Sequence, residues 1–159
     1  MKKLQKSEKG FTIIEVLIVL AIAGLIMLIV FLAVPALQRN SRNTQRKNDV
    51  SSIVGAVNEY TSNNAGTLPP DADTVIQSAK LGYYKDTGGG LGNVQLTATG
   101  AQTLDNAAAN DRVIIAEKQK CPDPAQGTTL TTVDGSARQI AVLYQIETSG
   151  DPLVECESS

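Results

Sequence analysis

The sequence predicts an α+β fold in which a long N-terminal helix packs, along its C-terminal half, on a small antiparallel β-sheet. Three observations predict it. Residues 16–37 are an unbroken apolar run of 22 residues with no polar or charged side chain. Further on, Val50, Ile53, Val54, Val57 and then Tyr60 or Thr61 recur at the spacing of one helix face. Late in the chain, segments 94–98, 112–118, 140–147 and 153–156 show some alternation of apolar and polar positions and are bounded by Gly, Pro, Asp or Thr turns.

Taken in order, the chain begins with a basic leader, residues 1–10, carrying Lys2, Lys3, Lys6 and Lys9 against Glu8 alone. The apolar segment 11–37 follows. As a helix its 22-residue apolar run is ~33 Å long, enough to cross a ~30 Å hydrocarbon layer. Only Gly24, Pro35 and Gly55 interrupt the helical pattern between Glu15 and Asn63, so one very long helix is expected, with a kink near Pro35, where a backbone hydrogen bond is lost. Residues 38–159 form one modest globular domain that includes the second half of the helix. Its stripe from Val50 onward needs a covering sheet. In 140–147, Ile140, Val142, Tyr144 and Ile146 share one face, which leaves the other to solvent or a neighbour. Residues 62–92, with Leu68-Pro69-Pro70-Asp71 and Gly88-Gly89-Gly90, read as a long connection holding one short helix near 73–80.

Several chemistries are excluded by residue type. The chain has no histidine, so neither a Ser-His nor a Cys-His nucleophile pair can form. Two cysteines cannot make the usual structural zinc site. No cofactor or metal is inferred, and no constellation points to an enzyme. The run Gly88-Gly89-Gly90-Leu91-Gly92 lacks the partners of a phosphate-binding loop and reads as a turn. Asp71, Asp73, Asp86, Asp134 and Asp151 have no calcium-loop spacing. Beyond the leader the chain is acidic on balance, which gives no electrostatic reason to expect nucleic acid. The basic stretch Arg39, Arg42, Arg46 and Lys47, just after the apolar run, is expected instead to contact lipid headgroups in the membrane-stored form and to line the shaft afterwards. Cys121 and Cys156 read as one disulfide formed outside the cytoplasm, the alternative being two buried thiols.

Residues 1–37 discriminate between functions. A cleavable secretory signal has an apolar core of about 7–15 residues, and this run is longer. A plain membrane anchor explains the length but has no use for Glu15, a carboxylate at the start of an apolar helix.

The stretch Lys9-Gly10-Phe11-Thr12-Ile13-Ile14-Glu15, followed at once by the apolar run, resembles the class III signal of type IV prepilins. The motif resemblance covers residues 9 to about 30, and the rest of the chain agrees with a pilin fold in layout. The resemblance implies cleavage after Gly10 by a membrane aspartic prepilin peptidase, with Phe11 as the new, N-methylated terminus. It implies that Glu15 neutralises the Phe11 amine of an adjacent subunit during assembly. Gly24 stands where pilins often carry a helix-weakening glycine, whereas Pro35 lies about a turn later than the family's usual proline. The cysteine pair resembles the disulfide-bounded C-terminal region of many pilins. The implied partners are other copies of the chain in a helical homopolymer, the peptidase, the pilus assembly machinery and, before assembly, membrane lipid. The implied location is a single-pass cytoplasmic-membrane precursor with its C-terminus outside, and then a cell-surface filament whose core is segment 11–37. A minor pilin or type II secretion pseudopilin shares these features. The alternative of a different class is an anchored extracytoplasmic binding domain that never polymerises.

Overall fold

The computed structural model describes residues 10–86, 94–97, 100–106 and 112–159. The leader, apart from Gly10, and the glycine run 88–92 lie outside these residues. The chain divides into two compact units, Met1–Gln38 and Arg39–Ser159. Helix α1, Ile13–Asn63, is 51 residues long and keeps its helical assignment through Gly24, Pro35 and Gly55.

Within the second unit α1 supplies the expected stripe. Val50, Ile53 and Val57 are fully buried, Ala56 and Thr61 nearly so, and Val54 is half-buried against them. The helix ends because Ala65 and Gly66 take positive φ, and the Gly66 N–H then donates to Thr61 O at 2.8 Å. A side chain at Gly66 would also collide with Arg138, since an added Cβ lies 2.7 Å from its Nε. The long connection holds α2, Ala72–Ala79, close to the expected helix, and the four-residue α3, Tyr83–Asp86. Asp71 caps α2: its carboxylate accepts from the Thr74 N–H at 2.8 Å.

The strands are β1 (Val94–Thr97), β2 (Thr103–Asp105), β3 (Val113–Glu117), β4 (Gln119–Lys120), β5 (Gln126–Gly127), β6 (Thr129–Thr131), β7 (Val133–Asp134), β8 (Ile140–Ile146) and β9 (Leu153–Ser158). The main sheet has the order β1-β3-β8-β9-β5, while β2 pairs with β6 and β4 with β7. Val113, Ile115, Ile140, Val142 and Tyr144 face the α1 stripe and form the larger core.

Two sequence expectations are corrected here. The sheet is not wholly antiparallel, because β1 runs parallel to β3, with Val94 opposite Val113. Parallel neighbours need a long crossover, and the chain between them is long enough to include β2 before it returns. The second correction concerns β8, whose far face is not open. All seven of its residues are buried, and Leu143 packs with Leu104, Ile114, Leu130 and Val154 in a second apolar cluster. Leu104 and Leu130 come from the β2–β6 ribbon, where they are directly opposed. Strands of two or three residues such as β5 and β6 are too short to show alternation, so sequence reading passes over them.

Candidate functional site

The first unit is built around the start of α1. Thr12 precedes the helix and Glu15 lies in its first turn. The Glu15 carboxylate accepts from the Thr12 N–H at 2.8 Å and from its hydroxyl at 2.7 Å, while the Glu15 N–H donates to Thr12 Oγ1 at 3.3 Å. This reciprocal arrangement is a capping box, which satisfies backbone donors that the helix itself leaves free. It gives Glu15 a local structural role beside any intermolecular one. The Thr-x-x-Glu spacing is the sequence signal that marks Thr12 as the cap.

Beyond Glu15 the apolar side chains are exposed around the helix. Phe11 is 89% exposed, and between Val16 and Leu32 no large apolar side chain falls below 47%. The helix is long and apolar enough to cross a membrane. An α-helix that is apolar on every side has no stable face for water and needs lipid or other helices around it. Among the described residues, nothing lies within 4 Å of a Cβ added at Gly24 or at Gly10.

Residues 5–31 match the family described as prokaryotic N-terminal methylation motif. The chain carries a type IV pilin-like class III signal. No curated protein and no solved structure matches the chain. The matched residues contain Gly10, Phe11, Thr12 and Glu15 together with most of the exposed apolar segment. The long helix whose C-terminal half lies on a small, mostly antiparallel sheet is a pilin-like α+β arrangement.

In the second unit three residues of the basic stretch, Arg42, Arg46 and Lys47, pair with acids of the same chain. Arg46 is 3% exposed, its guanidinium 2.9 Å from Glu147 Oε1 and stacked 4.7 Å from the Tyr83 ring centroid. Arg42 makes a two-pronged contact with the same carboxylate, and Lys47 pairs with Glu155 at 2.9 Å. Asn43 adds two bonds to the Glu147 backbone, donating to its oxygen at 2.7 Å and accepting from its N–H at 2.8 Å. These cations are spent on acids at the end of β8 and on β9. The sequence places them correctly on one helix but cannot show acids that are about a hundred residues away.

Cys121 and Cys156 form a disulfide, with Cα atoms 5.6 Å apart. Asp71 is used as a helix cap, and Asp134 accepts from Gln119 Nε2 at 3.1 Å. Among the described residues no group of three or more acidic or cysteine side chains is placed to hold a metal ion.

Proposed function

We propose that this chain is the membrane-stored precursor of a type IV pilus or pilus-like filament subunit, whose work is structural. The leader is removed after Gly10, Phe11 becomes the methylated terminus, and segment 11–37 passes from the bilayer into the core of a helical homopolymer. The second unit stays outside the membrane throughout. The observation that carries this reading is the coincidence, inside one matched motif, of Gly10-Phe11, Glu15 and a helix exposed on every apolar side.

Lipid and a bundle of identical helices are equivalent solvents for such an apolar surface, so transfer between them is cheap in apolar terms. The polar ends decide the packing. In lipid the Phe11 amine and Glu15 carboxylate reach the interface, whereas in a helix bundle both lose water and each needs a countercharge. A neighbour placed so that its amine meets Glu15 supplies one, and only one axial offset achieves this. Glu15 thus turns unspecific apolar packing into a fixed register.

Mass spectrometry of the protein isolated from cells tests the processing step. The expected mass begins at an N-methylated Phe11. An intact Met1, or a start near Leu37, overturns the reading and favours an anchor or a secretory signal respectively. Purified surface filaments that contain the processed chain complete the test of assembly.

A further inference from the structure

The second unit carries a polar groove between the ends of two helices. Glu59, Tyr60 and Asn63 share one face near the end of α1, and Gln77 and Lys80 stand across from them at the end of α2. The cavity between them measures about 460 Å³, within the ~300–1,000 Å³ of small-molecule sites. Two other lining side chains are already used by the backbone: the Asn64 amide donates to Tyr60 O at 2.8 Å and the Ser78 hydroxyl to Thr74 O at 3.1 Å. The side chains of Glu59, Tyr60, Asn63, Gln77 and Lys80, in contrast, make no hydrogen bond or ion pair among the described residues. Glu59 and Lys80 thus line one groove with opposite charges and do not meet each other.

Lys80 also holds its place at a cost. It caps the end of α2 with φ 50° and ψ 54°, the left-handed conformation that favours glycine. Glycine would end the helix with less strain but would take the ammonium out of the groove.

We propose that this groove binds a neutral saccharide, one or two pyranose rings in size, through Glu59, Tyr60, Asn63, Gln77 and Lys80. The lining mixes acceptors and donors: a carboxylate and two amide oxygens beside an ammonium, a phenol and two amide NH2 groups. Adjacent ring hydroxyls match that mixture, because each can donate to Glu59 and also accept from Lys80, in charge-assisted bonds. A ligand carrying one sign of charge is repelled by one of the two walls, and an apolar ligand leaves all five polar groups unpaired. The C–H face of a pyranose is apolar and weakly positive, which suits the face of an aromatic ring, and Tyr60 supplies the one aromatic side chain in the lining. The site lies wholly in the second unit, so binding requires no filament.

The test uses the full chain in micelles of a detergent without a sugar headgroup. Methyl α-mannoside, methyl β-galactoside, N-acetylglucosamine and lactose are titrated separately, with glycine as a zwitterionic control, and amide chemical shifts are followed by NMR. At least one sugar should give saturable shifts centred on residues 59–63 and 77–80. Glu59→Ala and Lys80→Gly should each weaken that binding about tenfold or more. Glu59 is exposed, and glycine suits the backbone at 80, so both variants keep the fold, which the remaining amide shifts verify. Lys120→Ala, exposed on β4 outside the lining, should bind as the unchanged chain does. No saturable shift from any of the four sugars, or sugar binding that survives both Glu59→Ala and Lys80→Gly, overturns the proposal. Glycine shifting the same amides at the same concentration would make this a site for a small zwitterion and overturn the saccharide.

Discussion

The guanidinium of Arg46, almost wholly buried, lies 2.9 Å from the Glu147 carboxylate, which Arg42 also grips from the previous turn of α1. Two cations thus share one acid at the point where β8 ends. The Arg42 hydrogen bond, and then the charge of Arg46, hold the Glu147 carboxyl below its ordinary value of 4.5 although partial burial opposes them. A carboxyl depressed in the folded state stabilises the fold above its unfolded value and loses that contribution as pH falls through the folded value.

The first prediction follows from this linkage. At neutral pH, Glu147→Gln should lower stability by roughly 1–3 kcal/mol, because Arg46 stays buried with a neutral partner. The deficit should shrink below about pH 4.5 and vanish once Glu147 is itself protonated in the folded protein. Denaturant midpoints of both proteins across pH 3–7 check it. A difference independent of pH would show that the charge of Glu147 does not matter.

Asp49 supplies a second prediction. It is 7% exposed on α1, and its two oxygens accept from the backbone N–H groups of Gly82 and Tyr84, each at 3.0 Å. One helix residue therefore fixes the chain that leads into α3. Asp49→Ala leaves both donors without that partner and should cost roughly 1–3 kcal/mol, with faster exchange at the amides of Gly82 and Tyr84. Unchanged exchange at those amides would count against the pinning role.

The helical stripe, the short helix near 73–80 and the four longer strands are legible in the sequence because each carries its own periodicity over enough residues to repeat. Leu104, Leu130 and the β2–β6 ribbon are not, since three residues cannot show a period and the pairing joins segments distant in the chain. The same limit hides the Glu147 clamp: Arg42, Arg46 and Lys47 look like part of a solvated helix face until the acids are folded against them. At the N-terminus the reverse holds. Glu15 is conspicuous because an acid in an apolar run is costly, and its local partner Thr12 is three residues away, within the reach of a motif.

The third prediction tests the leader. Among the described residues nothing lies within 4 Å of a Cβ added at Gly10, so Gly10→Val meets no obstacle from them. Under the filament reading the constraint at Gly10 lies in the peptidase, whose substrate channel must fit the backbone there. Full-length precursor should accumulate in the membrane fraction, with the second unit folded and the disulfide formed. Normal processing of this variant in cells that contain the peptidase would remove Gly10 from the cleavage site.

The last prediction separates the two roles of Glu15. Its carboxylate closes the capping box with Thr12 within one chain, and under the filament reading it also neutralises the Phe11 amine of a neighbour. Glu15→Gln keeps an acceptor for the Thr12 N–H, since glutamine also completes a capping box, but it carries no charge. Glu15→Val removes both functions. If local capping were all that Glu15 does, Glu15→Gln would assemble normally and Glu15→Val would show only a frayed first turn. If the charge sets the register, both variants insert and are cleaved after Gly10, yet neither builds filaments, because the buried amine of every added subunit lacks its countercharge. Immunoblots for processing and electron microscopy of filaments, in cells expressing no wild-type copy, distinguish these outcomes. Normal numbers of filaments from Glu15→Gln cells would leave the capping box intact and refute the intermolecular pair.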